Sequence, residues 1–571
     1  MQTIEVPTKK ERKFLPQDLV IDSWEKLEPY FEDLKNREIN SKEDLLKWMD
    51  DRSELEAVLE EDMAWRYIKM NIDTTDEKLA KDFQFFITEI APKTAPYDDA
   101  FNRKLFDSPY KNELGKDYDF YLKKIESAIK VFREENIPLQ TELQAESQKY
   151  GAIVAKMTVE VDGKELTLSQ ASKYLKDSNR EKRKEVFEKI SNRRLQDKDE
   201  LNKLYSDLVK KRDKVAKNAG FDNFRDYKFV EMTRIDYTPQ DCFNFHDSIA
   251  SEVVPVINKW DEERKQALGV DSYKPYDTEV DVTGKAPLKP FETGEELIDK
   301  SIEVFTRLRP SFGEKLAIMK ELGYLDLESK KGKAPGGFNY PLYEIGVPFI
   351  YMNAVGTQQD LTTMVHEGGH AMQSFLTRDL PHTGLKSFPS EVAELASMSM
   401  ELMSMDHWDV FYDNEEDLKR AKREQLKRSL SVLPWVATID RFQHWVYENP
   451  NHTEEQRYEK WLEIMNTFGS SVIDWSGYDE VLKNLWQKQL HLYEVPFYYI
   501  EYGMAQLGAI AVWRNYKKDK EKGLDAYERG LSLGGTRNIS EVYDAAGIKF
   551  DFSQPYVKEL VDFVVEEMNK I

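Results

Sequence analysis

The chain has almost no cysteine: Cys242 is the single one among 571 residues. One cysteine excludes an intramolecular disulfide framework, and it leaves a bound metal ion to nitrogen and oxygen ligands. Such sparing use of cysteine is typical of a reducing compartment. We interpret Cys242 as a packing residue rather than a nucleophile.

Long apolar runs are missing as well. The N-terminus is polar, and no apolar stretch of the sequence approaches the roughly 18 residues that a membrane-spanning helix needs. We therefore expect neither a signal peptide nor a transmembrane span. The expected localisation is cytoplasmic, with no membrane partner.

Positive charge is in deficit. The sequence has 82 Lys and Arg against 105 Asp and Glu, a formal net charge of −23 at pH 7. This charge repels phosphate backbones, so we expect no nucleic-acid partner. Acidic residues along a cleft would attract cationic peptides, and no sequence feature indicates an obligate protein partner.

Amphipathic sequence is what the chain has in quantity. With 40% hydrophobic and 33% charged residues, it alternates amphipathic helical stretches with short loops. This pattern predicts a predominantly α fold. We assign residues 1–200 to an N-terminal helical region with a small β-hairpin at about 155–170, and residues 201–571 to a catalytic region.

The hairpin has a specific turn signal. Met157, Val159 and Val161 alternate with polar residues and are followed at once by Asp162-Gly163. An Asp-Gly pair between alternating apolar residues favours a two-residue hairpin turn. We expect this element to decorate the N-terminal half.

The most informative motif is His366-Glu367-Gly368-Gly369-His370. Two histidines four residues apart lie about 40° apart on one helical face, close enough to share a metal ion. The glutamate between them is placed to handle a proton. Paired glycines cost a helix interior about 1 kcal/mol each, so we expect another element to approach the backbone closely there.

The helix itself is predicted independently of the metal. Thr357 and Asp360 have the spacing of a capping box, which favours a helix start just before the motif. The apolar residues that follow at helical spacing supply a buried face. The two histidines should therefore belong to one ordered helix.

Zinc hydrolases take three protein ligands and leave one position to water, so a third ligand is needed. Glu391, Glu394 and Glu401 all lie on the next predicted helix, and spacing alone does not choose among them. The remaining histidines lack partners at ligand spacing, and we expect surface or satisfied core positions for His246, His382, His407, His444 and His452.

The next predicted helix, which follows the one that carries His366 and His370, contains the segment Val392-Ala393-Glu394-Leu395-Ala396-Ser397. Together with the His-Glu-x-Gly-His motif, it resembles the zinc oligopeptidase family of thimet oligopeptidase and, more closely, oligoendopeptidase F. The resemblance implies one zinc ion per chain, held by His366, His370 and Glu394. It also implies that Glu401 orients a ligand histidine by accepting its other ring N–H.

A further match lies near the C-terminus, where His491 precedes a group of tyrosines. It resembles the histidine and tyrosine segment with which this family stabilises the oxyanion of a peptide under attack. Tyr499 and Tyr502 align best with the paired tyrosines of the family, and Tyr498 is a competitor. One such donor contributes roughly 3 kcal/mol to transition-state stabilisation.

Substrate contacts are expected before the zinc helix. Gly336 and Gly337 indicate a mobile loop, and residues 347–353, which include Tyr351 and Asn353, predict a short strand. An edge strand at this place would pair with an extended peptide through main-chain hydrogen bonds. A buried strand without that role is an equally good interpretation.

The family resemblance implies a large zincin-like helical peptidase with two halves around a deep substrate channel and a small β element near the active site. The implied function is a zinc-dependent oligoendopeptidase for short unstructured peptides, with Glu367 as general base toward a metal-activated water. Two alternatives stay open. One is a metallocarboxypeptidase of similar architecture, and the other is a peptide-binding protein without catalytic activity.

Overall fold

The computed structural model describes residues 5–571 and is predominantly α-helical, as predicted. The first half of the described chain forms helices α1 Glu28–Asn36, α2 Lys42–Ile72, α3 Glu77–Phe85, α4 Ala91–Asp107, α5 Asp119–Val131, α6 Ile137–Ser147, α7 Lys149–Ala155, α8 Leu168–Ser172, α9 Arg180–Gln196, α10 Lys198–Asn218, α11 Phe224–Glu231, α12 Pro239–Glu252 and α13 Val254–Leu268.

The second half contains the helices that carry the motifs. They are α14 Gly294–Leu308, α15 Pro310–Glu321, α16 Gln358–Thr377, α17 Thr383–Lys386, α18 Ser390–Ser404, α19 Glu415–Glu448, α20 Glu454–Phe468, α21 Asp479–Lys483, α22 Leu490–Glu494, α23 Tyr499–Lys518, α24 Lys520–Leu531, α25 Ile539–Ala545 and α26 Gln554–Lys570. None of the helices within residues 5–571 is long and apolar enough to cross a lipid bilayer.

Two hydrophobic cores organise these helices. The first is built mainly by α1, α2, α4 and α5, with residues such as Phe31, Trp48 and Phe101, and it also takes in Leu385 from α17. The second is larger and includes the buried faces of α16, α18, α19 and α23. The proposed division of the chain at residue 200 stays a prediction.

The predicted hairpin is present. Strands β1 (Thr158–Val161) and β2 (Lys164–Thr167) pair antiparallel, with Val161 opposite Lys164. Both turn residues have positive φ, 54° for Asp162 and 74° for Gly163. This is the backbone that a type I′ turn requires and that Asp-Gly adopts at little cost.

A three-stranded sheet lies beside α16. It consists of β3 (Leu325–Glu328), β4 (Phe338–Tyr340) and β5 (Phe349–Ala354), in the order β3-β5-β4. Strand β5 pairs parallel with β3 and antiparallel with β4. Of the two interpretations left open for the strand at 347–353, the buried strand is confirmed and the edge strand is wrong, because β5 is the central strand and has a partner on each side.

Candidate metal centre and active site

Helix α16 begins as the sequence predicts. Thr357 Oγ1 accepts a hydrogen bond from Asp360 N at 3.2 Å, and Asp360 Oδ2 accepts one from Thr357 N at 2.8 Å. This reciprocal capping box satisfies two N–H groups that the first turn leaves free. One turn of regular helix then separates His366 from His370, whose ring centroids lie 4.9 Å apart.

At the paired glycines, two other parts of the chain approach the backbone of α16 closely. A Cβ on Gly369 would lie 2.6 Å from both Ala396 O and Ser397 Cα, and a Cβ on Gly368 would lie 2.5 Å from the ring of Phe305. The expected close approach is therefore present. It brings α18 against α16 near enough for a glutamate of one helix to reach the histidines of the other.

The glutamate that reaches them is Glu394. Its Oε2 lies 3.3 Å from His366 Nε2 and 3.8 Å from His370 Nε2. Of the two glutamates that spacing left open beside it, Glu391 accepts a hydrogen bond from Tyr237 at 2.6 Å, and Glu401 contacts the far side of His366. Tertiary packing thus gives each glutamate a different partner.

Four neighbours hold this group in place. Glu401 Oε1 lies 2.7 Å from His366 Nδ1, and its other oxygen accepts a hydrogen bond from Gln425 Nε2 at 2.7 Å. Glu394 accepts hydrogen bonds from Ser397 Oγ at 3.0 Å and from Tyr498 OH at 3.1 Å. These bonds fix the rings and the carboxylate in one orientation, with both Nε2 atoms toward Glu394.

Burial and these contacts set the protonation states. Burial opposes ionisation of Glu394, but its hydrogen bond with His366 and the neighbouring histidines outweigh it and lower its pKa to about 2. Burial likewise opposes protonation of His366, yet hydrogen bonds to Glu394 and Glu401 raise its pKa well above the usual value. Burial lowers the pKa of His370 to about 4.

The residues fit a zinc ion. Their ligand atoms, two imidazole nitrogens and one carboxylate oxygen, all lie within 4.8 Å of one another. A tetrahedral ion with bonds of about 2.0 Å places its ligand atoms roughly 3.3 Å apart, which is close to the spacing found here. The set of two histidines and one glutamate is that of catalytic zinc sites with one position left open.

Glu367 lies next to this group and is 6% exposed. Burial raises the pKa of its carboxyl to about 7. The backbone carbonyl of the same residue accepts a hydrogen bond from Asn339 Nδ2 of β4 at 3.4 Å. Strand β4 is thus the sheet element that approaches the candidate site.

His491 and the three tyrosines form one cluster at the start of α23. The ring of His491 lies 4.9 Å from that of Tyr499, 5.8 Å from Tyr502 and 6.2 Å from Tyr498. Of the three tyrosines, Tyr498 donates a hydrogen bond from its hydroxyl to Glu394 Oε1. The structure therefore brings all four predicted side chains to the neighbourhood of the histidine pair.

A chain of hydrogen bonds fixes the tautomer of His491. Trp435 Nε1 donates to Gln489 Oε1 at 2.9 Å, and an indole N–H can only donate. The amide of Gln489 is thereby oriented with its NH₂ group toward His491 Nδ1, 2.7 Å away. Nδ1 accepts, Nε2 carries the proton, and burial lowers the pKa of the ring to about 4, which keeps it neutral.

The structure places the predicted substrate residues in different environments, some exposed and some buried. Gly336 and Gly337 are exposed, and Gly336 has a φ of 111°. Tyr351 is fully buried, stacks on Phe338 with ring centroids 4.7 Å apart and donates its hydroxyl to backbone carbonyls. Asn353 donates to Gly336 O at 2.9 Å. Burial of the Tyr351 side chain argues against a contact with a peptide, and Asn353 supports the glycine loop; the substrate roles of both residues stay predictions.

Sequence reasoning missed Gln425, Trp435 and Gln489. Gln425 and Trp435 lie on α19 and contact Glu401 and Gln489, which are distant from them in sequence, whereas Gln489 precedes α22 and contacts the nearby His491. An amide or an indole has no distinctive spacing, so no sequence signal marks these residues. A cavity of about 690 Å³ between β2 and residues 280–287 contains none of the predicted site residues, and we do not assign it to the site.

The chain is similar to known proteins over most of its length. Residues 14–132 match the peptidase M3 N-terminal domain, and residues 173–562 match peptidase family M3. The oligoendopeptidase F homolog of Borreliella burgdorferi is 24% identical over 68% of this chain and 65% of its own length. Oligopeptidase PepF of Bacillus subtilis is 22% identical over 69% of this chain and 58% of its own length.

The alignments thus span less than two thirds of the length of these curated relatives. The solved structure of PZ peptidase A with inhibitor 2 superposes with a TM-score of 0.90 at 27% identity, over 98% of this chain and 99% of that chain. The fold is therefore shared from end to end. Because the match at 173–562 covers more than half of the chain, the protein belongs to peptidase family M3.

Proposed function

We propose that this protein is a zinc-dependent oligoendopeptidase, which hydrolyses internal bonds of short unstructured peptides. The observation that carries the proposal is the convergence of His366, His370 and Glu394 from two helices, with Glu367 beside them. The names of the relatives, which include oligoendopeptidase F and an oligopeptidase, support the same substrate class.

Each residue has a distinct task in this proposal. His366, His370 and Glu394 would hold the ion, and Glu401 and Tyr498 keep two of these ligands oriented. The chemistry that bound Zn²⁺ supplies is Lewis acidity toward the carbonyl oxygen and a water of lowered pKa. Glu367 accepts the proton of the attacking water and delivers it to the leaving amine.

The carbonyl oxygen gains negative charge as the peptide is attacked. The Nε2–H of His491, left free by the bond that Gln489 makes to Nδ1, is a donor suited to that oxygen. The rings of Tyr499 and Tyr502 lie beside the His491 ring, so their hydroxyls are further candidate donors. Tyr498 is the weaker candidate for this task because its hydroxyl already donates a hydrogen bond to Glu394. Each such donor is worth about 10²–10³ in kcat.

The test is hydrolysis of an internally quenched peptide that is blocked at both ends. We expect wild type to cleave it and Glu367→Gln to lose about 10²–10⁴-fold in kcat while it keeps its zinc, because the substitution removes the base but no ligand. Glu77→Gln is the matched control, since Glu77 is 87% exposed on α3. It should behave as wild type.

Three other outcomes would each contradict part of this proposal. A wild type that binds zinc but cleaves only peptides with a free C-terminus would be a metallocarboxypeptidase. One that binds peptide and cleaves nothing would be a binding protein. A Glu367→Gln variant with full activity would contradict the role of Glu367.

A further inference from the structure

A second group of ligand-type side chains lies in the core between α12 and α19. Cys242 and His246 are one helical turn apart on α12, and Asp440 and His444 are one turn apart on α19. Ligand atoms of Cys242, Asp440 and His444 all lie within 4.8 Å of one another. None of these residues belongs to the group around Glu394.

In the sequence, this group is marked by two pairs of ligand-type residues that are each four positions apart, Cys242 with His246 and Asp440 with His444. The expectation that His246 and His444 lack partners at ligand spacing is wrong, because each shares its helical face with a residue that is itself a ligand type. Packing of α12 on α19 then brings the two pairs together.

All four side chains are buried, with exposed fractions of 0–1%. His246 Nε2 lies 2.9 Å from Asp440 Oδ2, an ordinary buried histidine–carboxylate contact. His444 Nε2 lies 3.2 Å from the same Asp440 oxygen but without the alignment of a hydrogen bond. Among residues 5–571, His444 Nδ1, His246 Nδ1 and Asp440 Oδ1 have no hydrogen-bond partner either.

Unpaired polar atoms are costly in this environment. Aromatic rings surround His444, with those of Phe243 and Phe497 at centroid distances of 4.8 and 5.3 Å. Leaving a buried donor or acceptor unsatisfied costs about 1–3 kcal/mol, and most native proteins avoid it. A cation that binds His444 Nε2 and the Asp440 carboxylate removes part of this cost, because it gives a partner to one ring nitrogen.

His444 and Asp440 have the spacing of two metal ligands, and Cys242 Sγ lies within 4.8 Å of both. His444 Nε2 lies 3.2 Å from Asp440 Oδ2, compared with 3.3 Å between His366 Nε2 and Glu394 Oε2. Tetrahedral zinc with bonds of about 2.0–2.3 Å requires ligand atoms roughly 3.3–3.7 Å apart. The charges also balance, since a thiolate and a carboxylate together neutralise a divalent cation and leave no net charge in the core.

We propose that Cys242, Asp440 and His444 form a second, structural zinc site, with His246 orienting Asp440. A thiolate, an imidazole and a carboxylate together favour Zn²⁺ over the hard cations Mg²⁺ and Ca²⁺. Burial raises the pKa of the Cys242 thiol well above its usual value, so binding of the ion must displace the thiol proton.

This site would brace the segment that carries the catalytic tyrosines. Phe497 packs its ring on His444, and its N–H donates to Gln443 Oε1 at 2.7 Å. Phe497 also has a φ of 67°, which is uncommon for a bulky residue and is held by its surroundings. Tyr498 follows directly, so a rigid α19 at 440–444 fixes the entry into α23.

The test is metal content after saturation with zinc and gel filtration. We expect about two zinc ions per wild-type chain, about one in the His366→Ala/His370→Ala variant and about one in Cys242→Ser. Circular dichroism shows whether each variant is folded. Activity is not a readout, so the result does not depend on the proposed peptidase function.

Cobalt substitution identifies the ligand without relying on a Cys242 variant. The chain has one cysteine, so a thiolate-to-cobalt charge-transfer absorption reports Cys242 alone. We expect this absorption in wild type and in the His366→Ala/His370→Ala variant. One zinc per wild-type chain with none in the double variant, or a double variant that binds cobalt without the absorption, would overturn the proposal.

Discussion

At the level of single residues, side chains around the candidate active site fix the orientation of its members through hydrogen bonds. His491 has two possible tautomers, and only one of them presents an N–H at Nε2. The bond from Trp435 orients Gln489, and Gln489 in turn donates to His491 Nδ1. Gln489 is therefore a positioning residue, because it selects the tautomer that can donate.

Gln489→Glu tests this relation. A carboxylate at 489 accepts from Nδ1–H, so His491 switches tautomer and loses its donor at Nε2. We expect kcat/KM to fall about 10²-fold, with kcat falling in parallel, since the lost bond is made in the transition state. Peptide hydrolysis gives the rate, and ¹⁵N NMR of the labelled histidines gives the tautomer.

Gln489→Met is the control for this change. It removes both hydrogen bonds but imposes no tautomer, so the loss should be about tenfold or less, the value of one net hydrogen bond. Equal losses in the two variants, with the same tautomer in both, would show that Gln489 acts through packing alone.

At the level of elements, the site depends on how closely α16 and α18 pack. The atoms that face Gly369 are backbone atoms of Ala396 and Ser397, at 2.6 Å from a built Cβ. Backbone cannot rotate away as a side chain can. The distance between the two helices, and hence the reach of Glu394 to both histidines, is set by the absence of a side chain at position 369.

Gly369→Ala should therefore push α18 away from α16. We expect a loss of about 1–3 kcal/mol in the free energy of unfolding, the usual cost of overpacking, and weaker zinc binding. Urea unfolding and competition with a chelator measure the two effects.

Gly151→Ala provides the comparison within a helix. A Cβ on Gly151 of α7 meets no atom within 4 Å, so alanine should stabilise the protein by about 0.4–1 kcal/mol. An unchanged or raised stability in Gly369→Ala would mean that the two helices separate without cost.

At the level of the whole molecule, buried ion pairs join segments that are far apart in sequence. Asp277 is fully buried and accepts hydrogen bonds from Arg180 Nη2 and Arg183 Nη2, both at 2.8 Å. Both arginines belong to α9, which follows the hairpin, whereas Asp277 precedes α14. Burial opposes ionisation of Asp277, but the two guanidinium groups outweigh it and lower its pKa.

This shift predicts a pH dependence. The pKa of Asp277 is lower in the folded protein than in the unfolded chain, where it is about 3.9. The ion pair therefore stabilises the fold fully above about pH 4, and this contribution is lost as the pH falls through the lower, folded value. We expect Asp277→Asn to cost about 3–5 kcal/mol at neutral pH, because it leaves the buried guanidinium of Arg183 without its carboxylate.

Urea unfolding between neutral and acidic pH checks this prediction. The difference between wild type and Asp277→Asn should shrink as the pH falls below about 4. Asp22→Asn is the control, since Asp22 is 56% exposed in an i,i+4 pair with Lys26 and should contribute less than about 1 kcal/mol. A difference that stays constant down to the lowest pH would contradict the assignment.

The sequence predicted those parts of the fold that have local causes. The capping box at Thr357, the hairpin turn at Asp162-Gly163 and the shared face of His366 and His370 each follow from residues within a few positions of one another. The placement of β5 could not be predicted in this way. Whether a strand lies at an edge depends on its neighbours, and β3 and β4 come from separate segments.

The sequence by itself thus determined a helical protein, one metal-binding motif and the family to which that motif is similar. Spacing left Glu391, Glu394 and Glu401 open, and packing places Glu394 and Glu401 on opposite sides of His366. Tertiary structure alone brings Trp435 to Gln489, and Cys242 to Asp440 and His444 in the core. The physical reason is the distance along the chain over which each effect acts. Periodicity, capping and turn geometry act along the chain, whereas these contacts join residues that only packing brings together.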